Sequence, residues 1–215
     1  EGPPFRSRSL AQGAAFCRQL SRERISLRRS HRRCSCSVSC LWRASAAQWL
    51  IEKSSNNYAS VQTITWGAAG DIPRLADVDG DGKSDLIAFR PGTGQWFIDK
   101  SGANFTTNQT VNLGTAGDIP VVGRFDGDAK ADLAVWRPSA GQWIVAQSTT
   151  NYTTTFTKQF GQDGDIPLNG DWDGDGKAEL TVYRPRSGMW FIDRSSTNFA
   201  DFLQFQWGQD VDLAR

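Results

Sequence analysis

Histidine is almost missing from this chain: His31 is the only one among 215 residues. That excludes a His-rich zinc centre, and a catalytic triad would need a residue from outside the patterned part of the sequence. Aspartate is absent from the first 40 residues, which hold all four cysteines: Cys17, Cys34, Cys36 and Cys40. No apolar run approaches the roughly 18 residues of a membrane-spanning helix. No stretch keeps a helical 3.6-residue period. The net charge of +1 hides an asymmetry, because residues 1–45 carry +8 and residues 46–215 carry −7. A whole-chain charge averages two unlike segments, and no nucleic-acid partner is expected from it.

What the chain has instead is repetition. "GDIP" recurs at Gly70, Gly117 and Gly164, a spacing of 47 each time. The same period carries Trp49, Trp96, Trp143 and Trp190, and also Arg43, Arg90, Arg137 and Arg184. Each unit divides into short apolar stretches between turn signals. In the unit that starts at Gly117, the predicted strands are 119–125, 132–138, 142–147 and 153–161. Four antiparallel strands in a unit of about 40–50 residues make one propeller blade. The expected class is all-β, a β-propeller of four-stranded blades, with a stacked β-repeat array or filament as the alternative. The expected division is a part-blade at 41–69, blades at 70–116, 117–163 and 164–210, and the start of another unit at 211–215.

Three acidic loops follow the period: "DVDGDGKSD" at 77–85, "RFDGDAKAD" at 124–132 and "DWDGDGKAE" at 171–179. Calcium is a hard cation that takes six to eight oxygens, and Asp at alternate positions of a tight turn supplies them. The first loop offers Asp77, Asp79, Asp81, the Lys83 carbonyl and Asp85. The third offers Asp171, Asp173, Asp175, the Lys177 carbonyl and Glu179. The alternative is an Asp/Gly turn without metal. In the middle loop Arg124 replaces the first carboxylate and Ala129 the turn glycine. That loop is expected to be metal-free, with the Arg124 guanidinium neutralising Asp126, Asp128 and Asp132; the alternative is that Arg124 points to solvent and a weakly held ion remains.

The stretch "GDIPRLADVDGDGKSDLIAFRPGTGQWFI" and its partners at 117–145 and 164–192 resemble the FG-GAP/VCBS repeats of bacterial extracellular proteins. These are similar to the calcium-binding blades of integrin alpha propellers. The resemblance covers about residues 40–215. It implies a β-propeller, calcium in the loop between the first two strands and an extracellular or cell-surface setting, but no single activity.

The repeated tryptophans are expected in the blade core, with a sugar-stacking role as the alternative. The repeated arginines are expected in salt bridges or carbonyl contacts between blades. Asn104, Asn108 and Asn151 lie in N-x-T sequons and are candidate glycosylation sites. Asn104 and Asn151, with their period-mates Asn57 and Asn198, mark a turn that favours Asn. Residues 1–40 are anomalous. They are either a basic Cys-containing arm or a stretch read out of frame, since GC-rich DGDG codons yield Arg, Ser and Cys in another frame. The function expected is a non-catalytic, calcium-stabilised module for adhesion, recognition or surface assembly. The alternatives are a propeller lectin binding glycans, a self-assembling filament subunit joined head to tail, and an accessory module of a larger secreted enzyme.

Overall fold

The computed structural model describes residues 38–53 and 56–209. Residues 1–37, with His31, Cys17, Cys34 and Cys36, and residues 210–215 lie outside the described part. The described chain forms fifteen strands in four antiparallel sheets. The first sheet has three strands, β1 (Val38–Arg43), β2 (Gln48–Lys53) and β3 (Val61–Thr65). The second holds β4 (Ile72–Ala76), β5 (Asp85–Arg90), β6 (Gln95–Asp99) and β7 (Gln109–Asn112). The third holds β8 (Ile119–Gly123), β9 (Asp132–Arg137), β10 (Gln142–Ala146) and β11 (Thr155–Gln159). The fourth holds β12 (Ile166–Gly170), β13 (Glu179–Arg184), β14 (Met189–Asp193) and β15 (Phe202–Gln206). Strand order follows chain order in every sheet, as in propeller blades. β1 reaches back to Val38, into the stretch expected to be anomalous. Val38, Ser39 and Cys40 pair with Lys53, Glu52 and Ile51, and backbone pairing does not depend on the repeat sequence.

Pro73, Pro120 and Pro167 each sit inside the first strand of a sheet. They are tolerated because β4, β8 and β12 are edge strands and need no donor on the outer side. The second strands read DLIAFR, DLAVWR and ELTVYR and are buried almost end to end. In β5 and β9 the apolar–polar alternation is lost because a sheet stacks on each face, and in β13 the back face is covered by aromatic side chains of its own sheet instead. Three apolar clusters fill the spaces between successive sheets. Trp42, Trp49 and Ile51 meet Leu75 and Leu86. Phe89, Trp96, Ile98 and Val111 meet Leu133 and Val135. Trp136, Trp143 and Val145 meet Leu180 and Val182.

Trp49, Trp96 and Trp143 are fully buried. Their ring faces belong to the core and are closed to a sugar. The indoles of Trp49 and Trp96 donate to the carbonyls of Trp66 and Leu113. In the third sheet Trp136 takes the corresponding Phe160 carbonyl, and the buried Trp143 Nε1 is left without a partner. One carbonyl at that place serves one indole.

The tight turn between the second and third strands requires a left-handed residue. Gly141 has φ +59°, and a Cβ there would stand 2.3 Å from the Gly161 carbonyl oxygen. Ala47 holds the same repeat position in the first sheet with φ 47°. The left-handed conformation costs an L-residue roughly 1–2 kcal/mol. Gly141→Ala is therefore expected to destabilise the fold by at least about that much, and Ala47→Gly to stabilise it by up to about 1 kcal/mol. Urea unfolding midpoints with unchanged slopes would measure both.

Candidate metal loops

Each acidic loop joins the first and second strands of its sheet, and its last carboxylate opens the second strand. Those last residues, Asp85, Asp132 and Glu179, are completely buried. Asp85 Oδ2 accepts the Val78 amide at 2.9 Å and Oδ1 the Ser101 amide at 2.7 Å. Asp132 accepts the amides of Phe125, Asp126 and Ser148 at 2.6, 3.0 and 2.7 Å. Glu179 accepts the Trp172 amide and the Ser195 hydroxyl, both at 2.6 Å. This carboxylate staples its loop to the turn after the third strand in all three sheets, including the one whose loop lacks the first carboxylate. That explains why the middle loop keeps Asp132 after losing its first carboxylate.

In the first loop, carboxylate oxygens of Asp77, Asp79 and Asp85 lie within 4.8 Å of one another. Asp77 also accepts the amides of Gly80 and Gly82, at 2.7 and 2.8 Å. Asp81 is not drawn into this group. Its Oδ2 takes the Lys83 ammonium at 2.9 Å, and that hydrogen bond holds the Asp81 carboxyl below its usual range. In the third loop Asp171, Asp173 and Glu179 come together in the same way. Asp175 stands 3.2 Å from the Ser195 hydroxyl, whose single proton serves either Asp175 or Glu179 at one time. Burial raises the Asp85 and Glu179 carboxyls above their ordinary values.

The donor sets fit a hard cation. They consist of oxygens alone, and they converge. Beside Asp85 the Ser101 hydroxyl is buried and close to that carboxylate, without a hydrogen bond of normal geometry. Ser101, Ser148 and Ser195 recur at 47-residue spacing, and the sequence reading missed them. The period itself was the signal: a serine follows the third strand in each unit and lies against the acidic loop of the same sheet. In the middle loop the Ser148 hydroxyl donates to Asp128 at 3.1 Å, and the Thr149 hydroxyl to Asp126 at 2.9 Å.

The expected pairing of Arg124 with Asp126, Asp128 and Asp132 does not occur. Among the described residues Arg124 forms no ion pair. Hydroxyls and amides already satisfy those carboxylates, so the guanidinium is not required there. Its main chain does the work instead, since the Arg124 carbonyl accepts the Ala178 amide of the next sheet at 2.7 Å. Arg124→Ala keeps that bond and is expected to change stability by no more than about 0.5 kcal/mol. Arg124→Asp restores the first carboxylate and should add one calcium per chain in calorimetry; no added stoichiometry would show that Ala129 blocks the turn.

The repeated arginines pair within a unit, not between units. Arg90, Arg137 and Arg184 each grip the aspartate of their own GDIP, namely Asp71, Asp118 and Asp165, through Nε and Nη2. The aspartate lies before the first strand and the arginine ends the second, and antiparallel pairing brings those ends together. Arg90 and Arg184 also lie over Phe97 and Phe191, 4.4 Å from the ring centres.

Residues 77–135, from the first acidic loop into the second strand of the next sheet, match the family model described as FG-GAP-like repeat. A search of the curated proteins found no match. The FG-GAP-like match spans one acidic loop with three clustered carboxylates and one without such a cluster. The sequons Asn104, Asn108 and Asn151 are exposed, and Asn104 and Asn151 are left-handed turn residues at φ 54° and 53°. No described helix is long and apolar enough to cross a membrane.

Proposed function

We propose that this chain is a non-catalytic repeat module stabilised by calcium, working outside the cell in adhesion, recognition or surface assembly. The observation that carries the reading is the convergence of Asp77, Asp79 and Asp85, and again of Asp171, Asp173 and Glu179, in loops of the same register. Asp81 and Asp175, with the Lys83 and Lys177 carbonyls, complete the oxygen sets. Bound calcium supplies positive charge that offsets the mutual repulsion of these carboxylates. The residues themselves hold the loop against its sheet, through Asp85 to Ser101 and Glu179 to Ser195. The family is associated with extracellular repeat proteins, and that supports the setting.

Because the ion would bind the folded loops alone, calcium should raise the melting temperature by mass action. At roughly millimolar affinity, the range of extracellular modules, the expected rise is several degrees at about 10 mM calcium, reversed by chelator. The double variant Asp77→Asn, Asp171→Asn should lose the response. A melting temperature indifferent to calcium and chelator would refute the reading.

A further inference from the structure

The back of each sheet is covered by the sheet that follows it, with one exception. Val78 and Phe125, at the second position of the first two acidic loops, are buried under the next sheet. Their counterpart in the third loop, Trp172, is half exposed. Leu113 is buried, whereas its counterpart Trp207 is 73% exposed. Val111 is buried and Phe205 is exposed. Trp172, Trp190, Phe205 and Trp207 form a continuous aromatic panel. Trp190 lies 6.3 Å from Trp172, 6.5 Å from Phe205 and 6.1 Å from Trp207 between ring centres. Among the described residues nothing lies over it, and a patch of clustered large aromatics is the composition of an interface.

The internal interfaces show what such a back face receives. Each takes the front of a following sheet, whose second strand inserts Ala88, Val135 or Val182. A glycine makes room for it: a Cβ on Gly114 would stand 3.0 Å from Val135, and one on Gly161 3.2 Å from Val182. Gly208 holds the same place beside the aromatic panel. At the other end of the series, no described sheet stands against the front of the first sheet. Leu41, at the repeat position of Val135, is half-buried there with Leu50, and Val61 is 52% exposed. Among the described residues β1 is also the edge of a sheet that has three strands where the others have four. The two uncovered faces are the two halves of the contact already made three times inside the molecule.

We propose that the aromatic back of the fourth sheet docks a second copy of this chain head to tail, seating its Leu41–Val61 front face. The faces are unlike, so the contact is heterologous and each docking leaves one free face of each kind. Continuity with the internal interfaces selects a repeat sheet as the occupant, and the apolar front of the first sheet supplies one.

Sedimentation velocity of the full chain over a range of concentrations tests this. Mass should rise above the monomer with concentration. Trp207→Glu and Val61→Glu, both at exposed positions and checked for native circular dichroism, should each weaken association at least about tenfold, the loss expected for a central interface residue. Leu203→Glu serves as a second back-face variant. An equimolar mixture of Trp207→Glu and Val61→Glu retains one intact face of each kind and should form a dimer and nothing larger. Association lost in Trp207→Glu but kept in Val61→Glu would mean back-to-back pairing and overturn the head-to-tail contact. A monomer at every concentration would also overturn it, and would mean that a segment of the chain itself covers the panel.

Discussion

Arg137→Ala should lower the stability of the fold by about 1–3 kcal/mol, the cost of leaving a buried carboxylate short of its donors, less than for a fully buried pair because the Arg137 side chain is 28% exposed. The Asp118 side chain is 1% exposed. Its Oδ1 takes Arg137 Nε and its Oδ2 takes Arg137 Nη2, both at 2.8 Å, while the Thr115 amide reaches Oδ2 at 2.9 Å. Without the guanidinium the carboxylate keeps the Thr115 amide and hydroxyl but loses its countercharge. The third sheet is covered on both faces, so little rearrangement can re-solvate it. Arg137→Lys should recover only part of the loss, because an ammonium cannot donate two parallel bonds. The double variant Arg137→Met, Asp118→Asn should be more stable than Arg137→Ala, since it removes the stranded charge as well. Urea unfolding measures all three. A cost below about 1 kcal/mol for Arg137→Ala would show that the pair is a surface contact.

The second large effect is a rise in stability on mild acidification. Burial pushes the Asp132 carboxyl up to about 6, with the nearby Asp126 charge adding to it and the Ser148 and Phe125 amides opposing it. Burial also pushes Asp193 up to about 6, against the pull of Lys158, whose Nζ stands 3.6 Å away across the boundary between the third and fourth sheets. Asp193 Oδ2 has no hydrogen bond. Both folded values exceed the unfolded value of 3.8, so the folded state binds protons more tightly. Stability is lower at pH 7 and recovers as pH falls through about 6 towards 4. At about 1.4 kcal/mol per unit the upper limit is about 3 kcal/mol for each group. Asp85 and Glu179, also raised by burial, add in the same direction when calcium is chelated. In chelator the melting temperature should therefore climb between pH 7.5 and 5. Asp193→Asn should raise it at pH 7.5 and raise it by about half as much at pH 5, where the unfolded carboxyl is still ionised. A melting temperature that falls steadily over that interval contradicts the assignment.

The sequence alone determined the all-β class, the four-strand unit and the acidic loops, because these are properties of chain order. A 47-residue period, strand-length apolar runs and the Asp/Gly turns act locally and survive any change in how units pack. Trp49, Trp96 and Trp143 were legible as core for the same reason, since a large apolar side chain recurring at one place in the unit has one face to fill.

The partners of charged groups were not legible. Arg137 and Asp118 are 19 residues apart, and nothing in their spacing distinguishes a partner in the same sheet from one in the next. Antiparallel pairing of β8 with β9 decided it. Arg124 looked like a substitute cation because it occupies a ligand position, but the Ser148 and Thr149 hydroxyls reach the same carboxylates across the sheet. Exposure was decided only by the tertiary structure. Phe125 and Trp172 hold the same repeat position, and one is core while the other is half exposed. The difference lies in neither residue. Burial depends on whether another sheet stands opposite, and a repeat sequence states each unit's faces without stating what covers the last one.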